Sequence, residues 1–239
     1  MANNYVWLYV PWYSPQFCKG IWYHPFYPMP TLEPSASPTN KEIMRATTPL
    51  QALDTKNIPS ITQSEIEKLN TTTKLPNFQN SKYFVLVSLC EDDIHKSLKY
   101  GIWTSTAENN QILNQYYISQ NNLPVYLFFS VMGSGMFVGV AQMTSEVNFH
   151  ASFNGWYPNY SNLGYFRVKW LFVKDVLFKK ISYIKVHNGL SVVNCQDCQE
   201  IPKQAASKLV NTFVRAKKFK SLLEDFEYYN RKEELVLSL

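Results

Sequence analysis

Cysteine is scarce in this sequence, with only Cys18, Cys90, Cys195 and Cys198 among 239 residues. A secretory signal is also missing, because the N-terminus has no basic segment and Pro11 interrupts its first apolar run. No stretch approaches the roughly 18 consecutive apolar residues that a membrane-spanning helix needs. These absences disfavour a disulfide-built secreted domain, and we expect a soluble protein in a reducing intracellular compartment.

Charge is also low, since 17% of the residues are charged and 23 Lys and Arg face 18 Asp and Glu. Residues 1–80 hold 6 basic and 5 acidic residues, whereas 81–239 hold 17 and 13. This excess is too small for a protein that binds a polyanion mainly through phosphate contacts. A nucleic-acid ligand would therefore need a pocket that supplies much of the affinity.

Patterns for catalysis and metal binding are missing as well. Cys195 and Cys198 form a single C-x-x-C, and a structural zinc site needs a second pair of ligands. The zinc deaminase pattern needs a His-x-Glu, which does not occur, and the four histidines have no recognisable acid-base partners. Gly133 and Gly135 join two predicted strands, which indicates a hairpin turn rather than a dinucleotide site. We expect no enzyme activity, metal or cofactor.

The N-terminal third does not read as a folded domain. Residues 1–30 contain ten aromatic residues among five prolines, which predicts an irregular arm that packs on the domain or engages a protein. Residues 31–80 are rich in Thr, Ser, Asn and Pro, which predicts a linker with one short helix near 64–69. The folded domain is expected over 81–232, with a tail over 233–239.

From Lys82 onward the hydrophobic pattern predicts alternating strands and helices. The acids Glu91, Asp92 and Asp93 predict the start of a helix, because negative side chains are favourable at a helix N-terminus. The predicted strands are 83–87, 124–131, 136–143, 165–173 and 181–186. The predicted helices are 91–99, 109–119, 202–217 and 221–231, and a polar loop covers 149–164. This order indicates an α/β or α+β domain.

Three tryptophans lie in this region, and their contexts differ. Trp170 alternates with Val168 and Phe172 inside a strand, so we expect it in the core. Trp156 falls in a polar loop, where a large aromatic ring has no packing reason to lie unless it covers something. Trp103 falls at a helix-to-loop junction. Neither of these two is expected in the core, and each is a candidate for ligand contact.

The colinear order of six blocks resembles a YTH domain, specifically its cytoplasmic branch, over about 150 residues. The blocks are 82–86, 91–106, 124–131, 133–141, 166–176 and 197–202. The resemblance implies a curved, barrel-like mixed sheet of about six strands surrounded by helices. It also implies recognition of N6-methyladenosine in single-stranded RNA.

Carried over by position, Trp103 and Trp156 would be two walls of the aromatic cage that receives the methylated base. Tyr160 or Leu163 would be the third wall, and Tyr160 is favoured slightly for its stacking area. Both alternatives stay open, because the loop before the strand at Tyr165 differs in length from the family pattern.

The resemblance also implies contacts with the edge of the base. The main chain at Thr104 would accept the N6 hydrogen, the backbone near Leu89 would face the Hoogsteen edge, and Asp93 would face N1. Because N6-methyladenine is neutral, the rings would act by stacking, worth roughly 1 to 3 kcal/mol, and by dehydration of the methyl group. One buried methyl adds on the order of 1 kcal/mol, which predicts about a tenfold preference over adenosine.

Several side chains that hold the RNA backbone in the family are absent here. Gln196, Ile112 and Met132 stand where an Arg, a basic residue and an Asn are usual. We therefore expect a weaker phosphate grip, or one shifted to other lysines. The candidates are Lys174, Lys179, Lys180 and the cluster of Lys217, Lys218 and Lys220. For that cluster a solvated helix face is an equal alternative.

The family resemblance further suggests a cytoplasmic, monomeric reader that regulates the decay or translation of mRNA, with the arm recruiting protein partners. The alternative is a YTH-fold module that binds RNA or protein without selectivity for the methyl group. Equal affinities for methylated and unmethylated RNA would favour this alternative.

Overall fold

A computed structural model describes residues 51–53, 58–119, 123–153, 155–156, 164–217 and 221–237. The predicted arm over 1–30 lies outside the described residues. None of the helices in the described ranges combines the length and apolar character that crossing a membrane would require.

Eight strands and five helices form the described part of the chain. The strands are β1 (Gln51–Ala52), β2 (Lys82–Ser88), β3 (Ile102–Trp103), β4 (Val125–Val131), β5 (Met136–Met143), β6 (Ala151–Ser152), β7 (Phe166–Leu177) and β8 (Gln199–Glu200). The helices are α1 (Gln63–Lys68), α2 (Glu91–Tyr100), α3 (Ala107–Ser119), α4 (Lys203–Arg215) and α5 (Phe226–Leu237). Short 3-10 turns cover Phe78–Asn80, Phe178–Lys180, His187–Gly189 and Val192–Asn194.

Six strands form one mixed sheet in the order β3-β7-β5-β4-β2-β8. β2 and β4 run parallel, while the other neighbouring strands are antiparallel. The pairings β4–β5 and β5–β7 shift register in their middles, and such irregularities bend and twist strands. The fold class expected from the sequence, a curled six-stranded sheet with helices around it, is confirmed.

The core lies on both faces of this sheet, because the central strand β4 is buried along its whole length. Leu127 and Phe129 pack on one face in the cluster that also contains Trp170, which confirms the core role expected for that tryptophan. Tyr126 and Phe128 pack on the other face, in the cluster that α4 joins. The period of two along β4 therefore divides its large side chains between two cores.

Three of the predicted elements were wrong or displaced. Residues 181–186 form turns rather than a strand, since the Ile184 N–H donates to the Ile181 carbonyl at 2.9 Å. The last helix begins at Phe226 rather than near residue 221, because the 221–225 segment folds into turns first. β7 runs to Leu177, four residues further than expected, because its end still pairs with Met136 of β5.

Residues 58–80, placed in a linker by composition, pack on the sheet. α1 begins with a capping box in which Thr62 and Glu65 bond each other's main chain. Leu69 and Leu75 are buried in the core. The Asn70 side chain accepts from the Val173 N–H at 2.9 Å and donates to the Val173 carbonyl at 3.2 Å. Asn70 thereby satisfies main-chain groups on the side of β7 that β5 does not cover.

α5 packs on α2 through ion pairs and a hydrogen bond. Lys232 lies 2.7 Å from Asp92, and Lys99 lies 2.9 Å from Glu233. The Tyr229 hydroxyl also bonds the carboxylate of Glu91. These contacts fix the orientation of α2, whose first turn carries Asp93.

His95 is buried at the centre of this helix contact. Its ring lies 4.5 Å from that of Phe226 and 5.5 Å from that of Tyr229. Burial lowers the pKa of His95 to about 4, while the charges of Glu233 and Asp92 oppose this effect. The contact between α2 and α5 is therefore built around a neutral imidazole.

The unfolded chain protonates this histidine near pH 6.5, whereas the folded chain does so near pH 4. The stabilisation is therefore complete above pH 6.5 and is lost as the pH falls towards 4. When the pH falls from 7 to 4.5, the free energy of unfolding of the wild type should drop by about 2 kcal/mol more than that of His95→Phe, which keeps an aromatic ring. Urea denaturation at both pH values measures this difference. His150→Phe, at an exposed histidine, is the control, and equal changes in all three proteins would contradict the prediction.

Candidate functional site

A small pocket of about 40 Å³ opens where β2 ends, between the first turn of α2 and the chain that follows β3. It is lined by Val87, Ser88, Leu89, Asp93, Trp103, Thr104, Ser105, Thr106, Trp156 and Asp197. Five of the seven predicted site residues are in this list. The other two, Tyr160 and Leu163, lie outside the described residues, so the choice between them stays a prediction.

The two predicted cage tryptophans contact each other. The ring centroids of Trp103 and Trp156 lie 5.4 Å apart at an interplanar angle of 66°, an edge-to-face contact. Trp103 also packs edge-on against Phe129 at 4.9 Å, and Trp156 against Phe153 at 5.0 Å. Neither indole N–H has a hydrogen-bond partner among the described residues, which leaves two buried donors beside the pocket.

The expectation that these tryptophans stay outside the core was wrong, since Trp103 is 5% and Trp156 4% exposed. The reason is a pairing over long sequence separation. The two residues of β3 pair with the start of β7, with Trp103 opposite Phe166. That pairing brings the Trp103 side chain into the core that holds Phe129.

Helix α2 holds the segment before Trp156 in place. The Lys96 ammonium donates to the carbonyl oxygen of Gly155 and lies 3.8 Å from the carboxylate of Asp93. A Cβ atom at Gly155 would come within 2.5 Å of the Phe153 ring, so this position needs glycine. Lys96 therefore links one wall of the pocket to the helix turn that carries Asp93.

The segment after Trp103 is fixed by a fully buried side chain. The Asn110 amide donates to the Thr104 hydroxyl at 3.1 Å and accepts from the Ser105 N–H at 3.0 Å. The Thr104 hydroxyl in turn donates to the Gly164 carbonyl at 2.8 Å. Because the only donor of that hydroxyl is used within the protein, the main chain of Thr104 is the better candidate for a ligand contact.

Asp197 connects two walls of the pocket and the start of α3, although the sequence argument assigned it no role. One of its carboxylate oxygens accepts from the Val87 N–H at 2.8 Å. The other accepts from the Ser105 hydroxyl at 2.8 Å and the Asn109 amide at 2.8 Å. No local pattern could reveal this, because the donors lie about 90 to 110 residues away in the chain.

The charges at the pocket are negative. Asp93 is 3% exposed and lies in the first turn of α2, where the helix dipole favours an acid. Together with Asp197 it places two carboxylates in the lining, and no Lys or Arg is among the described residues that line the pocket. Leu89 is 37% exposed at the mouth. The pocket therefore suits a neutral, flat group better than a phosphate.

The cysteines and Lys174 have other surroundings. Burial raises the pKa of the Cys195 thiol to about 11 and that of Cys198 to about 12, which disfavours the reactive thiolate. No group of three potential metal ligands occurs in the ranges that the structure describes. Lys174 was wrong as a phosphate-binding candidate, because it is buried and donates to the carbonyls of Phe213 and Ala216 at the end of α4.

Comparison with known sequences decides the family. The sequence model described as "YT521-B-like domain" (YTH) matches residues 81–214, which is more than half of the chain. The chain belongs to the YTH family. This YTH domain contains β2 to β8 and α2 to α4, and every described residue of the pocket lies within it.

Curated relatives share this domain. "YTH domain-containing family protein 3" of Homo sapiens is 40% identical over 161 residues, which cover 66% of this chain and 27% of that protein. "YTH domain-containing family protein 2" of Homo sapiens is 38% identical over 161 residues, which cover 66% of this chain and 28% of that protein. The chain thus spans little more than a quarter of the length of these relatives.

Solved structures share the fold. The YTH domain of the Zygosaccharomyces rouxii MRB1 protein, in complex with N6-methyladenosine RNA, has 29% identity and a TM-score of 0.57, covering 63% of this chain and 97% of that one. The Pho92 YTH domain in complex with m6A has 28% identity and a TM-score of 0.60, covering 65% and 98%.

The three bonds of Asp197 generate a test of the pocket frame. Asp197→Asn keeps the shape but leaves one acceptor oxygen where the carboxylate has two, so at least one partly buried donor loses its partner. We expect a loss of about 1 to 3 kcal/mol in the free energy of unfolding, measured by chemical denaturation. Gln196→Ala, at the exposed neighbouring position, should change stability by less than about 0.5 kcal/mol. Equal stabilities of the two variants would show that the three bonds contribute little.

Proposed function

We propose that this chain binds N6-methyladenosine in single-stranded RNA and acts as a reader without catalytic activity. The observation that carries the proposal is the meeting of Trp103 and Trp156 with Asp93 in one pocket. The fold around that pocket is shared with two YTH domains whose complexes contain the methylated nucleotide or RNA.

In this proposal Trp103 and Trp156 are two walls of the cage that receives the methylated base, and Tyr160 or Leu163 is the third wall. The main chain of Thr104 accepts the N6 hydrogen, the backbone near Leu89 meets the Hoogsteen edge, and Asp93 meets N1. The placement of Leu89, Asp93 and Thr104 around the two rings supports these roles.

In this structure the two rings meet nearly edge to face, with centroids 5.4 Å apart, so they form adjacent walls of the pocket rather than two parallel faces.

The family suggests a cellular role, which we propose for the whole protein. The relatives contain far more chain than this domain. We propose a cytoplasmic, monomeric protein that selects methylated mRNA, with protein partners, engaged through residues 1–30, that direct the mRNA to decay or translation. The names of the relatives support the family assignment, and the pocket chemistry supports the RNA ligand.

The proposal is tested by titrating short RNAs that differ only in the N6-methyl group. The wild type should prefer the methylated RNA by about tenfold. Trp156→Ala should lose about 1 to 3 kcal/mol of affinity for the methylated RNA, because a stacking wall is removed. It should also lose most of the preference for the methylated RNA. Trp170→Phe is the control, since that ring is buried in the core but does not line the pocket. Equal wild-type affinities for the two RNAs would instead support a YTH-fold module without methyl selectivity.

Asp93 generates a second test. Adenine N1 and an ionised carboxylate are both acceptors, so their contact needs a shared proton or a water molecule. Asp93→Asn supplies a donor and removes a negative charge, so it should bind methylated RNA more tightly than the wild type at neutral pH. The wild type should bind better as the pH falls towards the range in which carboxylates protonate, and the variant should not.

Asp92→Asn is the matched control, because it removes the same charge one residue away, at a side chain paired with Lys232 instead of the pocket. It should not tighten binding. Weaker binding by a folded Asp93→Asn protein would assign Asp93 to the support of α2 rather than to N1.

A further inference from the structure

The pocket lies at one rim of the sheet, and a second surface lies further along the same rim. Ser88 pairs with Val131 at the ends of β2 and β4, and Met136 pairs with Leu177 where β5 begins and β7 ends. Three connections therefore leave the sheet side by side. They are the pocket wall at 88–90, the turn at 132–135, and the segment 178–190, named here the basic loop.

Hydrogen bonds join these three connections directly. The Met132 N–H donates to the Ser88 carbonyl at 2.9 Å, and the Phe178 N–H donates to the Gly135 carbonyl at 2.8 Å. β2 and β7 are three strand spacings apart, so the ends of these two strands are about 14 Å apart measured along the sheet. A few nucleotides of single strand cover such a distance.

The basic loop carries cations and an exposed ring on a rigid base. Lys179, Lys180 and Lys185 are exposed, and Tyr183 is 61% exposed. The sequence contains no Asp or Glu from residue 176 to residue 196. The loop is anchored by three buried apolar side chains, Ile181, Ile184 and Val186, which belong to the core on the opposite face of the sheet from Trp103 and Trp156.

Charge within the described ranges is distributed unevenly along the rim. Within the described residues, the cations in ion pairs are Lys82, Lys96, Lys99, Arg231 and Lys232. None of them belongs to the basic loop. The pocket lining, by contrast, holds two carboxylates and no base among its described residues. A polyanion whose base enters the pocket therefore finds the nearest uncompensated cations of this rim in the basic loop.

The surface between the two sites is apolar. Met132 is 63% exposed and Leu89 is 37% exposed, and both flank Ser88. Exposed aliphatic side chains beside a base-binding pocket can pack against the faces of neighbouring bases. The rim thus offers an acidic pocket, an apolar strip and a basic, aromatic loop in that order.

We propose that the basic loop is a second RNA-contact site, which binds the same strand a few nucleotides from the base held in the pocket. Tyr183 stacks on a base, and Lys179, Lys180 and Lys185 contact phosphates. Stacking on tyrosine tolerates any base, and lysine contacts with phosphate carry no sequence information. The site therefore adds affinity and a length requirement without reading the methyl group. This inference rests on the proposed function, since it takes the pocket as the place where the strand is fixed.

The test measures affinity against RNA length and salt, with the whole chain and fluorescence anisotropy. One RNA has a single nucleotide on each side of the methylated adenosine, and two others extend it by about six nucleotides on the 5′ or the 3′ side. One extension should tighten binding by the wild type at least tenfold. No gain from either extension would overturn the proposal.

Variants assign that gain to the loop. The triple variant Lys179→Gln, Lys180→Gln, Lys185→Gln should lose about tenfold in affinity for the extended RNA. The same variant should reduce the magnitude of the slope of log affinity against log salt by about 2, since each phosphate contact contributes about 0.7 for single strands. Tyr183→Ala should lose about fivefold or more with little change in slope. Binding of the short RNA should change in neither variant.

The matched control is the triple variant Lys74→Gln, Lys203→Gln, Lys208→Gln, which removes the same charge at exposed positions away from the rim. It should retain the affinity and nearly the whole salt slope. If the two triple variants behave alike, the basic loop is not a second site. The same conclusion holds if the loop variant loses as much affinity for the short RNA as for the extended RNA.

The ratio of affinities for methylated and unmethylated RNA separates this inference from the proposed function. The loop variants should keep that ratio, because they do not touch the pocket. A ratio of one in the wild type with a length effect that depends on the loop would reject the methyl reader and retain the RNA surface. A preserved ratio without a loop effect would reject only the second site.

Discussion

The carboxylate of Asp197 is the contact on which the shape of the pocket depends. It joins the end of β2 to the chain after β3 and to the start of α3, and both partners lie about 90 to 110 residues from Asp197 in sequence. Each accepted bond is short, and an ionised acceptor makes such bonds stronger than neutral ones. The pocket therefore has one side built by a charge-assisted network and another side built by apolar rings.

This division explains how a chain with little charge can bind a polyanion. The pocket offers rings and acceptors, so it gains from a neutral base and gains nothing from phosphate. Under the two proposals, the separation along one rim lets each function be adjusted alone. A substitution in the basic loop would then alter how tightly any strand is held, whereas a substitution near Trp156 would alter which base is preferred.

The sequence predicted the domain well where short-range patterns decide structure. The buried run of β4 and the acids that open α2 gave correct elements, and the resemblance located five pocket residues. The failures have a common physical cause, which is pairing over long distances in the chain. The burial of Trp103 depends on two residues of β3 meeting β7, and the role of Asp197 depends on donors about a hundred residues away. Residues 181–186 have the apolar content of a strand, but turns and buried anchors determine their path.

The packing of α5 and of residues 58–80 has a consequence for how this domain should be delimited. The family model matches residues 81 to 214, yet Asn70 covers main-chain groups of β7, and α5 provides the partners of Glu91, Asp92 and Lys99. A fragment cut at the limits of that model would carry a bare strand edge and a helix with unpaired charges. The packed unit is therefore longer at both ends than the region that the family model matches.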